Sequence, residues 1–221
     1  MEPVQRSLSV RNERKPVSRA IVRTFVVAAA AVLLLSGLTS IEPLKQTTQP
    51  DANDVVYVVG VAPVNYQITM QSGTVENGVF KVHTWSSGRM SSTPIDGYMV
   101  WTGPPNVALA VTAVQWPRSK ADQAAGNFSP CGEQATMVFK GGAGKVLYFG
   151  DVQYAVDGNQ INIRTQDRFD RTERYINARY PALRGKLEPA ALETYRTNAL
   201  ACGTTGYSPV YNSMPMPPPG K

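Results

Sequence analysis

The feature that most constrains this chain is the run Phe25–Leu35, eleven residues of Phe, Val, Ala and Leu with no charge and no helix breaker. No Asp, Glu, Lys or Arg lies between Arg23 and Glu42, which leaves an uncharged window, Thr24–Ile41, of 18 residues. As a helix rising about 1.5 Å per residue, that window is roughly 27 Å long, just enough for the hydrocarbon core of a bilayer. The strictly apolar part has the length of a signal-peptide core, so a retained membrane anchor competes with a cleaved export signal. Cleavage wants small residues at the last and third-last positions before the cut. Cuts after Ser36 or Ser40 put Leu34 or Leu38 at the third-last place, and a cut after Thr39 ends on a poor residue. The anchor is therefore the preferred reading and the cleaved signal the alternative. A buried core helix would carry polar residues along one face, and this run carries none.

The flanks set the orientation. Residues 1–23 hold six basic side chains, Arg6, Arg11, Arg14, Lys15, Arg19 and Arg23, against Glu2 and Glu13. That is +4 of the whole chain's +6, and only +2 remains for the other 198 residues. A basic excess just before an apolar span is the positive-inside arrangement, with the N-terminus cytoplasmic and the remainder across the membrane. The same location explains the charge without a nucleic-acid partner, and none is expected. Residues 1–23 read as a basic cytoplasmic tail, 24–41 as the anchor or signal segment, and 42–54, with Pro43, Pro50 and a Gln/Thr run, as a solvated linker.

From residue 55 to residue 202 the pattern is that of one β-rich domain. Val55–Val61 is almost continuously apolar, as for a strand buried on both faces. Tyr66–Gln71 and Val79–Trp85 alternate, with Asn77-Gly78 as a hairpin signal between them. Tyr98–Thr102, Val107–Gln115, Thr136–Lys140, Val146–Val156 and Gln160–Thr165 follow. Asp157-Gly158 joins the last two, and Gly150 marks a bulge. About eight closely spaced strands with no intervening helix predict an antiparallel β-sandwich or a barrel-like relative. Two short helices follow: Arg168–Tyr180, capped by Asp167 and with Phe169, Thr172, Ile176 and Tyr180 on one face, and Glu188–Leu200, with Leu192, Tyr195 and Ala199 as its stripe. Residues 203–221 form a Pro-rich tail, extended or disordered.

The stretch Phe139–Asp151, with its Gly-Lys turn and its Tyr148-Phe149-Gly150-Asp151 segment, resembles a pattern in uncharacterised bacterial envelope proteins, often lipoproteins, that carry a small β-sandwich. Asp167 and Tyr180-Pro181 fit the same order, and the likeness extends over Thr136–Leu183. It implies an envelope location and a sandwich fold, and no catalytic residues. Leu33–Gly37 is close to a lipoprotein signal, but Leu38 stands where the acylated Cys belongs, so no lipidation is expected.

Candidate chemistry is sparse. His83 is the sole histidine, and its alternation with Lys81 and Trp85 places it on the outer face. No nucleophile elbow accompanies it. Gly141–Lys145 lacks the Ser or Thr and the following helix of a phosphate loop and reads as a hairpin turn. Asp151, Asp157, Asp167 and Asp170 read as turn and capping residues. The two cysteines, Cys131 and Cys202, lie in the part expected to be exported and are expected to form a disulfide. No catalytic residue, metal site or cofactor is expected. Trp85, Trp101 and Trp116, with Tyr98, are the candidate contacts for a ligand or partner, since exposed aromatics stack on sugars or anchor proteins. The expectation is thus a single-pass inner-membrane protein with a periplasmic, non-enzymatic interaction domain and an envelope protein as partner. A carbohydrate- or peptidoglycan-binding module acting on a cell-wall polymer is the alternative.

Overall fold

The computed structural model describes residues 41–83, 88–118, 125–130, 134–197 and 208–213. The chain divides into two compact units, Met1–Leu38 and Thr39–Lys221, and every described residue belongs to the second. The apolar run lies outside them. Among the described residues no helix is long and apolar enough to cross a membrane.

The described part is mainly β, with one α-helix. In chain order the strands are β1 (Glu42–Pro43), β2 (Val55–Ala62), β3 (Gln67–Glu76), β4 (Val79–Val82), β5 (Arg89–Ser92), β6 (Tyr98–Gly103), β7 (Ala108–Trp116), β8 (Gly126–Phe128), β9 (Ala135–Phe139), β10 (Val146–Asp157), β11 (Gln160–Gln166), β12 (Leu187–Pro189), β13 (Glu193–Thr197) and β14 (Ser208–Ser213). Helix α1 (Phe169–Arg179) and a 3-10 turn, Pro181–Leu183, lie between β11 and β12.

Two seven-stranded sheets result. The first runs β1-β6-β2-β10-β11-β14, with β12 also on β10. Its centre follows from sequence: β2 is Val-Val-Tyr-Val-Val-Gly-Val-Ala, rich in β-branched residues that suit a strand covered on both sides. Val55, Tyr57, Val59 and Val61 enter a core shared with the second sheet. Val56 and Val58 face the other way, into a cluster with Ile176, Tyr180 and Leu183 from α1 and the turn after it. Helix α1 covers that face because Thr172, Ile176 and Tyr180, at helical spacing, are all buried. Burying Ile176 alone contributes about 1.5–3 kcal/mol.

In the second sheet the strands β3, β4, β13, β9 and β7 pair in sequence, and β7 pairs back onto β3, closing a small barrel. It has its own core, in which Phe80, Ala108, Ala110 and Val138 are buried with Tyr195 packed against them. The hairpin β3–β4 turns at Asn77 and Gly78, both at positive φ (51° and 77°), the geometry that Asn-Gly favours.

Several expectations are corrected. The segment read as a second helix, Glu188–Leu200, is strand over Leu187–Pro189 and Glu193–Thr197; residues 198–200 lie outside those described. Leu192 packs against the shared core and Tyr195 against the barrel core, so the two do not form one helical stripe. Backbone pairing to β9 and β4 claims β13 instead. The sheets are mixed rather than wholly antiparallel, since β10 runs parallel to β2 and β12, β14 to β11, and β13 to β4. The segment read as linker is partly built in: β1 pairs with β6, and Leu44 is buried with its N–H on Val100 O at 2.9 Å. Within the Pro-rich tail, β14 pairs with β11 and the Tyr211 hydroxyl donates to Ala135 O at 2.6 Å. A further short strand, β8, lies between the segments expected at Val107–Gln115 and Thr136–Lys140 and pairs with β7.

Candidate functional site

The site is built on one irregularity in β10. Along a regular strand, residues three apart point to opposite faces. Leu147 and Phe149 enter the shared core and Tyr148 the helix-side cluster, yet Val152 and Tyr154 enter the shared core as well. The alternation slips between Tyr148 and Asp151, where the register against β2 shifts and Gly150 takes φ 97°. This bulge brings Tyr148 and Asp151 to the same side. The Tyr148 hydroxyl donates to Asp151 Oδ1 at 2.9 Å and accepts from the backbone N–H of Arg168 at 2.9 Å. Gly60 on β2 lies beneath the carboxylate, and a Cβ there would collide with Asp151 Oδ1 and Cγ. Two glycines therefore position one carboxyl group: Gly150 turns it and Gly60 makes room for it.

The second wall comes from the start of α1. Asp167 accepts the Phe169 N–H at 3.0 Å, which fixes the helix entry. Arg168 then reaches back, with Nε 3.9 Å from Asp151 Oδ2 and its terminal nitrogen donating to Gln166 Oε1 at 2.6 Å. Arg171, one turn on, also lines the space. The third wall is the turn before β6, where Asp96 adopts φ 53°. Helix α1 is tied to this turn by Arg179–Asp96 at 3.2 Å, by the Tyr175 hydroxyl donating to Ile95 O at 3.3 Å, and by Tyr98 stacked on Tyr175 with centroids 4.2 Å apart. Ala62 and Val64 supply an apolar side, while Val61 and Val152 border the space from strands whose side chains enter the shared core.

The cleft has a volume of about 220 Å³. Its charged lining sets Asp151, and Asp96 already paired with Arg179, against Arg168 and Arg171. Burial pushes the Asp151 carboxyl above its ordinary pKa, and the repulsion of Asp167 adds to this. The Tyr148 hydrogen bond and the charges of Arg168 and Arg171 pull the other way. Burial likewise pushes the Tyr148 hydroxyl well above the usual phenol value.

The residues singled out from sequence fare differently. Trp101 is 1% exposed, stacks on Tyr57 and meets Phe139 of the second sheet edge-on. Trp116 is 3% exposed, stacked on Tyr66. Tyr98 is buried between α1 and the first sheet. Trp101 and Trp116 are core residues and offer no exposed stacking platform, because the large apolar area of an aromatic ring is worth more between two sheets than in water; Tyr98, though buried, lines the cleft beside Asp96 and Asp151. Trp85 lies outside the described residues, as do Cys131 and Cys202. His83 is exposed at the end of β4. Lys145, in the glycine-rich turn, pairs with Glu188 at 2.8 Å. Asp157 sits at the β10–β11 hairpin and Asp170 in the first turn of α1. Asp151 departs from the turn-and-cap reading, and Asp167 stands one residue before the N-cap, which is Arg168 and makes no side-chain capping bond. The signal that marks Asp151 is the Tyr-x-Gly-Asp segment, once the glycine is taken as a bulge. Gly60 carries no local signal. Among the described residues no group of three or more His, Cys, Asp or Glu is placed to hold a metal ion.

Compared with known protein families, with curated proteins and with solved structures, the chain matches none.

Proposed function

We propose that this chain is a bacterial envelope protein, held in the inner membrane by Thr24–Ile41, whose extracytoplasmic β-domain recognises a ligand or partner at the Asp151 cleft without catalysing a reaction. The two sheets serve as the layers of a sandwich-like scaffold, and the helix side of the first sheet is the recognition face. The distribution of charge carries the topology: the basic excess precedes an uncharged 18-residue window, and a separate folded unit follows from Thr39. The resemblance of Thr136–Leu183 to envelope proteins points the same way. Recognition rather than chemistry is favoured because the half-buried carboxylate of the cleft, Asp151, has an oxygen held by Tyr148, whose hydroxyl is itself bound on both sides.

The test is made in intact cells. Carbonate washing should leave the full chain in the membrane, and protease added from outside the inner membrane should reach the β-domain. In vivo crosslinking should yield an envelope partner or cell-wall polymer, and Arg171→Gln should weaken that capture. Release by carbonate as a chain starting between Leu38 and Glu42 would replace the anchor by a cleaved signal. Capture unchanged by Arg171→Gln would remove the cleft from the recognition face.

A further inference from the structure

We propose that the Asp151 cleft binds the head group of an α-amino acid, meaning a carboxylate with an N–H one carbon away, borne by a free amino acid or by the C-terminal residue of a peptide. The proposal rests on the reading of this cleft as a recognition site and names its ligand.

Charge excludes the simpler classes. A plain anion drawn to Arg168 and Arg171 would face the carboxylate of Asp151, and a plain cation would face the two guanidinium groups, Asp96 being already paired with Arg179. Only a ligand carrying both signs, or an anion beside a strong donor, meets complementary partners throughout. The groups left over by the protein's own bonding fit this division. Asp151 Oδ1 is taken by Tyr148, while Oδ2 has Arg168 Nε at 3.9 Å, beyond a normal hydrogen bond. Oδ2 is thus open to an N–H donor. Among the described residues the Arg171 guanidinium has no hydrogen-bond partner, and it projects from the first turn of α1, where the helix dipole adds to its attraction for a carboxylate.

Size and the apolar side agree. A cavity of 220 Å³ is smaller than the roughly 300–1,000 Å³ of sites for drug-sized ligands, and it suits one residue. Ala62 lines it, and Val64 at its rim is 55% exposed despite its apolar side chain. An aliphatic ligand side chain would cover that surface. The carboxylate meets Arg171, the N–H meets Asp151 Oδ2, and the side chain lies on Ala62 and Val64.

The experiment is titration of the purified full-length protein, in detergent, with three probes. L-Valine carries the carboxylate and an ammonium. N-acetyl-L-valine keeps the carboxylate and replaces the ammonium by an amide N–H, as at a peptide C-terminus. L-Valinamide lacks the carboxylate. Binding of L-valine or N-acetyl-L-valine, with none of valinamide, is the expected result; preference for the first or second assigns the free amino acid or the peptide terminus. Arg171→Gln should weaken binding about tenfold or more, the range of a lost charge-assisted hydrogen bond. Asp151→Asn should weaken L-valine more than N-acetyl-L-valine, because only the ammonium makes a charge-assisted bond there. Circular dichroism confirms that each variant is folded, and Val64→Lys, at the exposed rim, gives a second variant that blocks the apolar side without touching the charged core. The proposal is overturned if neither carboxylate probe binds at about 10 mM, if valinamide binds equally well, or if folded Arg171→Gln and Val64→Lys proteins bind as the wild type does. If the probes fail while Arg171→Gln still abolishes crosslinking in cells, the cleft remains a recognition face and the ligand assignment alone is wrong.

Discussion

Gly60 and Asp151, on neighbouring parallel strands, occupy one space: the carboxylate of Asp151 lies where a Cβ of residue 60 would be. The contact couples the centre of the first sheet to the cleft, so the two positions are not free to vary independently.

Gly60→Ala should therefore destabilise the domain by about 1–3 kcal/mol, the cost of overpacking a filled site. The penalty should shrink when Asp151 is also Ala, since the colliding group is then gone. Urea denaturation of the two single variants and the double variant measures the coupling. Additive losses would show that Gly60 does not exist to accommodate Asp151.

The Asp151 carboxyl is held above its ordinary value by burial. The native state then keeps its proton longer than the unfolded chain does. The stability this provides is full below the unfolded carboxylate range, near about 4, and is lost as pH rises through the folded value. The advantage of wild type over Asp151→Asn should fall across that window. Tyr148→Phe removes a hydrogen bond that lowers this pKa and should move the window to higher pH, with an overall loss of about 1–3 kcal/mol from the unpaired groups. Stability measured at a series of pH values checks both; parallel profiles for wild type and Asp151→Asn would contradict the sign.

Phe80 is fully buried inside the barrel of the second sheet, with Gly73 opposite it. Phe80→Ala should cost about 3–5 kcal/mol. By contrast, Lys145→Ala breaks an ion pair whose side chains are half exposed and should cost less than about 1 kcal/mol. Thermal denaturation ranks the two, and an equal effect would mean that the turn at Lys145 is more important to the fold than its exposure indicates.

Cys131 and Cys202 are proposed to form a disulfide, as would suit a domain exported across the membrane. Closing a loop of about 70 residues stabilises by roughly 4 kcal/mol in the chain-entropy account. Thiol labelling of the envelope-extracted protein should require prior reduction. Labelling of both cysteines without it would end the proposal.

What the sequence by itself determined was local. Val55–Val61, continuous in apolar residues, could only be a strand covered on both faces, and β2 is. Asn77-Gly78 and Asp157-Gly158 dictated their hairpins because few residues tolerate the positive φ at Asn77, Gly78 and Gly158. Phe169, Thr172, Ile176 and Tyr180 specified the helix and its buried side. Tertiary structure decided what depended on distant partners. Glu193–Thr197 carries helix-compatible spacing and became a strand because β4 and β9 offered ladders on both sides, and backbone pairing across the chain outweighs a weak local propensity. Trp101 and Trp116 had core packing as their default reading beside the exposed-contact one, and Tyr57, Phe139 and Tyr66, closing around them, decided for the core. The cleft was half legible. Tyr148 and Asp151 are three apart, and only a bulge at Gly150 brings such a pair together; the glycine was visible, but Gly60, Arg168 and Asp96 reach the same carboxylate or cavity from segments whose proximity arises only when strands from distant parts of the chain pair.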